Sequence, residues 1–195
     1  MNGTKIHLMR LLLVCHLFFY KKYSEYCDKI EMRLSSKRGA VQMSWKIRKA
    51  TLSDVDAITE LRIELLTVVG DVNEDNKLRV FNANYNYFKE RLSDGSFSAW
   101  VAEDNEVIVA ISGYVLFERP PHGENISGKE AYIMNMFTKR EFRGFGIGRT
   151  LLEKCIAECK SLGVGRIWLH SSKDGYPLYK KMGFTPKESE MELIL

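Results

Sequence analysis

The stretch from Arg140 to Cys155, REFRGFGIGRTLLEKC, constrains this chain more than any other. Glycines stand at 144, 146 and 148, with arginines on both sides, directly ahead of an apolar run at helical spacing. Glycine accepts backbone conformations that other residues avoid, and it lets the main chain approach a neighbour closely. The first N–H groups of a helix have no intrahelical acceptor, and the helix dipole adds partial positive charge at that end. Together these make an anion receptor built from backbone. The fold must therefore aim a helix entrance at a ligand, with room for main chain to touch it.

Spacing excludes two common receptors of this kind. A P-loop needs G-x-x-x-x-G-K-[ST], and no such Lys-Ser/Thr pair follows here. A dinucleotide fingerprint needs G-x-G-x-x-G in an early strand–helix–strand unit, whereas here the third glycine comes one residue early and late in the chain.

The surrounding pattern predicts the architecture. Trp45 to Lys49 alternates apolar and charged residues, as a half-buried strand does. A helix follows, with Ser53 as its N-cap, Asp54 and Asp56 in its first turn, and Gly70 at its end. Lys77 to Leu92 reads as a second helix. Phe97–Glu103 and Val107–Phe117 read as a hairpin turning at Asp104-Asn105. Arg119–Lys129, RPPHGENISGK, is a loop by composition. Then come the strand EAYIMNMFT, the glycine turn, a helix from about Gly148 to Leu162, the strand RIWLHSS, a short helix GYPLYKKMG, and a final strand within FTPKESEMELIL. A hairpin run followed by strand–helix–strand predicts an α/β chain with an α+β-type mixed sheet.

Charge narrows the partners. The chain carries 29 Lys+Arg and 25 Asp+Glu, net +4, but residues 1–42 hold eight of the basic and only three of the acidic residues. The stretch from Met43 is thus at net −1, which argues against a nucleic-acid footprint. Residues 1–42 look foreign to the rest. Their apolar core, Leu11 to Tyr20, is short for a bilayer span and ends without a small-residue cleavage site. An amphipathic segment, a poor signal anchor and an upstream extension not normally translated all fit; we expect the last, with the domain at 43–195. Cys155 and Cys159 lie one helical turn apart with no His or Cys to complete a metal set, so we expect buried thiols, a reducing cytoplasm and no metal.

The strand YIMNMFT, the turn KREFRGFGIGRTLL, a helix, and then IWLHSS and LYKKMGF together resemble the GNAT superfamily of acetyl-CoA-dependent N-acetyltransferases. The most specific elements are R-x-x-G-x-G (Arg143, Gly146, Gly148) and L-Y-x-x-x-G-F (Leu178 to Phe184), and the resemblance runs from Met43 to Leu195. It implies a central, mostly antiparallel sheet with a splayed parallel strand pair, flanked by helices. It implies transfer of acetyl from acetyl-CoA to a primary amine by direct attack in a ternary complex.

On this resemblance the backbone of Gly144, Phe145, Gly146, Ile147, Gly148, Arg149 and Thr150 holds the coenzyme A pyrophosphate, with Arg143 and Arg149 adding charge. Met136, Phe137 and Thr138 offer a strand edge to the pantetheine arm. Ser172 stands where relatives often carry Asn, and Gly175 where they carry Ala, so Ser172 reaches the cofactor less far. Tyr179 matches the family's usual general acid. Glu130 stands where some members carry a catalytic base, with Glu118, His122 and Glu124 as competitors and His170 read as structural. Acceptor specificity in this fold comes from Leu61–Leu92 and Glu118–Lys129, whose acids suggest a cationic small-molecule or peptide amine. Family members often dimerise. Two alternatives stay open: a CoA-binding module without catalysis, and transfer to charged tRNA, for which Lys180 and Lys181 speak.

Overall fold

The computed structural model describes residues 45–187 and 191–194. Residues 1–42, with Cys15 and Cys27, fall outside the described residues, so the expectation for that extension is not addressed.

Five strands form one sheet in the order β1 (Lys46–Lys49), β2 (Phe97–Asp104), β3 (Val107–Glu118), β4 (Lys129–Thr138) and β5 (Arg166–Trp168). The first four are antiparallel neighbours, and β5 joins β4 in parallel. The helices are α1 (Val55–Val69), α2 (Lys77–Asp94), α3 (Ile147–Ser161) and α4 (Tyr176–Lys181). The predicted mixed sheet is therefore present, and α3 makes the crossover from β4 to β5.

Each sheet face buries its own core. On one, Val55, Ile58 and Leu61 of α1 and Phe88 of α2 pack on Phe97, Val101, Ile111 and Phe137. On the other, Leu152, Cys155 and Cys159 of α3 and Tyr179 of α4 pack on Tyr114, Ala131 and Ile133. Helical spacing thus supplies each stripe, and strand alternation splits the sheet residues between them.

Several expected boundaries move. Ser53 does not cap α1. It sits in a 3-10 turn, Leu52–Asp54, whose Asp54 carboxylate accepts the Thr51 N–H at 2.8 Å and closes the turn from the other side. That carboxylate is buried and meets Arg48 through two contacts of 2.7 and 2.8 Å, tying the helix entrance to β1. The hairpin turns at Asn105-Glu106, both with positive φ (48° and 65°), the conformation whose twist suits a two-residue loop. β5 is three residues long. The expected final strand is not formed by the described part of the C-terminus: 184–187 and 191–194 are outside any strand, Pro186 lacks a ladder donor, and Met191, Leu193 and Ile194 are exposed.

β4 carries a bulge. Ile111 faces Phe137 and Gly113 faces Met134, so Asn135 and Met136 together oppose Ser112, with Asn135 at φ 54°. One extra residue shifts the alternation. Ile133 and Met136 consequently pack on the α3 side, and Met134 and Phe137 on the α1 side.

Candidate active site

The glycine turn is built as its composition demands. Phe142 is buried and anchors it, and Gly144 and Gly146 have φ of 83° and 82°, Gly146 being the N-cap of α3. A side chain at either would be strained. Gly148 serves differently: a Cβ there would lie 3.3 Å from the Met136 Cε, so its absence lets α3 start against β4. The N–H groups of Ile147, Gly148 and Arg149 precede the first intrahelical bond and point outward from the helix entrance. Thr150 donates its N–H to the Gly146 carbonyl at 3.0 Å, so the converging amides end one residue earlier than expected. Phe145 lies half-exposed at the tip.

Beside the turn, β4 outruns its neighbour. Pairing with β5 stops at Tyr132 and Trp168, while β4 continues to Thr138. Ile133–Thr138 therefore present an edge that β5 does not cover, the splay expected for an extended ligand. Arg143 donates from Nε to the Thr138 carbonyl at 2.9 Å and lies 5.7 Å over the Phe137 ring, fastening the turn to the strand end. Arg149 pairs with Glu153 along α3 at 2.8 Å.

These parts border a cleft of about 530 Å³. Met136, Phe137, Thr138, Arg143, Gly144, Gly146, Ile147, Gly148, Arg149, Ser172 and Tyr179 line it; Phe145, Thr150 and Glu130 do not. A long phosphorylated thiol cofactor fits this set, with main-chain donors at one end and an open strand edge along the path. Leu65, Val68 and Val69 of α1, within the Leu61–Leu92 segment expected to face the acceptor, also wall the cleft that the glycine turn borders, which sequence reasoning did not foresee. Its signal was the apolar run continuing past what the sheet core needs, for Val68 and Val69 are exposed.

Tyr179 reaches the cleft from α4 while standing in the core. Burial pushes its phenol up to about 12, with the Tyr132 phenol adding to the shift, so the hydroxyl keeps its proton at neutral pH. Ser172 Oγ accepts the Gly175 N–H at 3.1 Å, a contact that orders the entrance of α4. Gly175, the departure from the family pattern, makes room: a Cβ there would come 2.8 Å from Tyr179 Cε2.

Glu130 is not a solvated strand end. It is buried, and Arg166 (3.4 Å) and Arg119 (3.6 Å) hold its oxygens. Two residues along the same face, Tyr132 Oη lies 2.7 Å from His170 Nδ1. Cys155 and Cys159 are buried thiols, pushed up to about 12 and about 11 mainly by desolvation. Among the described residues no His/Cys/Asp/Glu group could hold a metal, and no helix is long and apolar enough to cross a membrane.

Comparison with known proteins agrees with this geometry. The profile of the Acetyltransferase (GNAT) family matches residues 62–184. Glucosamine 6-phosphate N-acetyltransferase of Arabidopsis thaliana is 28% identical over 149 residues, 76% of this chain and 95% of that protein. An N-alpha-acetyltransferase of Sulfolobus acidocaldarius is 27% identical over 166 residues, 80% of this chain and 86% of that one. A structure from Clostridium acetobutylicum, described as a predicted acetyltransferase with acetyl-CoA, is 31% identical with a TM-score of 0.70, covering 77% and 96% of the two chains. The family model covers more than half of a chain that folds into this cleft, and the chain belongs to the acetyltransferase (GNAT) family.

Proposed function

We propose that this protein transfers the acetyl group of acetyl-CoA to a primary amine of a small molecule or peptide, by direct attack in a ternary complex. The observation that carries this reading is the single cleft joining the α3 entrance, the uncovered β4 edge and Tyr179. The curated relatives are named for different acceptors, an amino-sugar phosphate and an α-amine. The primary amine is what they share. Buried, protonated thiols fit a cytoplasmic setting.

Acetyl-CoA supplies the activated thioester. The free amides of Ile147, Gly148 and Arg149 hold its pyrophosphate, and the main chain of Met136–Thr138 aligns the arm. Transfer forms a C–N bond and breaks the C–S bond, so the departing sulfur needs a proton and the ammonium must lose one before attack, while the nitrogen sheds one more as the amide forms and so restores the acid. The Tyr179 hydroxyl donates the first. The second leaves through the Tyr132–His170 pair, whose phenol oxygen and imidazole Nδ1 lie 2.7 Å apart. Glu130, engaged by two guanidinium groups, holds the loop end to β4 and β5.

The test is calorimetric titration of the full chain with acetyl-CoA, alongside thiol release in the presence of amines. Acetyl-CoA binding that Gly146→Trp abolishes is expected. Tyr179→Phe is expected to bind acetyl-CoA normally and to release thiol slowly. A folded wild type that does not bind acetyl-CoA would remove the acetyltransferase reading.

A further inference from the structure

Strand alternation sends Arg166, Trp168 and His170 to the opposite sheet face from Ile167 and Leu169, which pack against α3 and α4. Tyr132 shares that face, its ring centroid 4.6 Å from Trp168 and 5.5 Å from His170. Arg119 stacks on Phe117 and Trp168 at 5.3 and 5.9 Å. α1 closes the face from above. Arg62 precedes the cleft-lining Leu65 and Val69 by three and seven residues, so it lies on the same stripe of α1, one turn deeper. Its electrostatic neighbours are Tyr132, Asp71 and Tyr87, and Tyr132 in turn acts on Tyr179. Arg62 therefore continues the α1 stripe that walls the cleft, on the side of Tyr132.

This face brings three guanidinium groups, Arg62, Arg119 and Arg166, together with two carboxylates, Glu130 and, near Arg62, Asp71. Arg62 Nε and Trp168 Nε1 are both shielded from solvent and, among the described residues, find no hydrogen-bond acceptor. A buried donor left unpaired is costly, and a buried guanidinium more so. The one buried carboxylate at the wall, Glu130, is already shared by Arg119 and Arg166. A cationic acceptor would meet three guanidinium groups here, and a neutral amine would leave both donors unanswered. Of the acids that suggested a cationic acceptor from sequence, Asp71 is the one among Arg62's electrostatic neighbours.

We infer that the acceptor is an amine that also carries an oxyanion, a carboxylate or a phosphate, received by Arg62 with the Trp168 indole N–H as second donor. The inference rests on the acetyl-transfer reading and names the substrate class of that same site. The acceptor's nitrogen then faces the Tyr132–His170 pair, while its anionic group anchors it from the α1 side.

Matched amines test this with the full chain. L-Alanine against L-alaninamide isolates the carboxylate, phosphoethanolamine against ethanolamine isolates the phosphate, and spermidine serves as the polycation. Thiol release from acetyl-CoA is followed for wild type, Arg62→Gln and Arg62→Lys, with calorimetry of each amine on CoA-loaded protein where turnover is slow. The expected result is preference for the anionic member of at least one pair. Arg62→Gln should raise its KM, or its Kd, by about 10- to 100-fold and erase the preference, Arg62→Lys should restore part of it, and acetyl-CoA affinity should not change. Which pair responds identifies the anion. Equal or better use of the neutral members or of spermidine overturns the inference, as does failure of both anionic amines to bind or react. A uniform loss of kcat in Arg62→Gln, without a change in KM, overturns it too. Loss of acetyl-CoA binding by wild type would instead sink the transfer reading, and the inference with it.

Discussion

Gly175→Ala should slow catalysis by displacing one ring. The backbone at Gly175 is right-handed helical (φ −79°, ψ −26°), so alanine itself fits, and restricting the unfolded chain would contribute about 0.4–1 kcal/mol of stability. The obstacle is steric: the new Cβ lies 2.8 Å from Tyr179 Cε2 and 3.3 Å from Ser172 Oγ. Ordinary carbon contact begins near ~3.5 Å, so the ring must retreat by roughly 0.7 Å. Tyr179 is 8% exposed and packed with Leu152, Cys155 and Phe184, which leaves it little room. Overpacking of this kind costs about 1–3 kcal/mol, so the variant should be less stable by about 0–2.5 kcal/mol. Misplacing a reacting group by about 1 Å can cost ~100-fold, and a shift of this size should lower kcat about tenfold or more. Thiol release, acetyl-CoA calorimetry and thermal melting read the three consequences. A Tyr179→Phe background separates them. The ring still collides there, so the stability loss persists, but the hydroxyl is gone, so Gly175→Ala should cost no further kcat. A Gly175→Ala protein with wild-type kcat and a raised melting temperature would refute the reasoning.

Tyr179→Phe alone should lower kcat by about 10²–10⁴-fold with acetyl-CoA affinity unchanged; full activity would assign the acid to another group. Gly146→Val places a β-branched residue at φ 82° and should weaken acetyl-CoA binding by about tenfold or more in calorimetry, from ~1–2 kcal/mol of backbone strain at the anion site. Asp54→Asn should destabilise the fold by about 3 kcal/mol at neutral pH, read by urea melts. Burial alone would raise the Asp54 carboxyl, but the Arg48 hydrogen bonds and the Thr51 N–H outweigh it and hold it below its usual value. Its contribution is thus complete above the unfolded value near ~4 and disappears as pH falls through the lower folded value, so the wild type and Asp54→Asn should converge in acid. Cys155 and Cys159, held protonated by burial, should resist iodoacetamide at pH 7.5 in the native protein and react after unfolding, as mass spectrometry would show.

What could be read from sequence divides along the reach of the interactions involved. The glycine turn was legible because its requirements are local. Gly144 and Gly146 answer to their own φ angles, and Gly148 answers to a strand only ten to twelve residues back, at Met136 and Thr138. The two sheet faces were legible because alternation and helical spacing declare burial directly. The bulge at Asn135 was not, since an apolar alternation reads the same with one residue inserted, and only the pairing with β3 reveals it. The final strand, not formed by the described residues 184–187 and 191–194, failed for a related reason: MELIL alternates well enough, yet a strand needs a partner, and β5 offers three residues. Ser53 lost its capping role to Asp54 because Arg48, on a different element, draws that carboxylate into the turn. Glu130 shows the limit most clearly. Its offset from Arg143 marked it as a candidate base, but the partners of its carboxylate could not be read from that position. Those partners are Arg119, eleven residues back across a loop, and Arg166, on the strand that pairs with β4 only after the whole crossover. The sequence position of an ionisable side chain therefore locates it on the right strand, while its chemistry is decided by partners that only the folded chain brings to it.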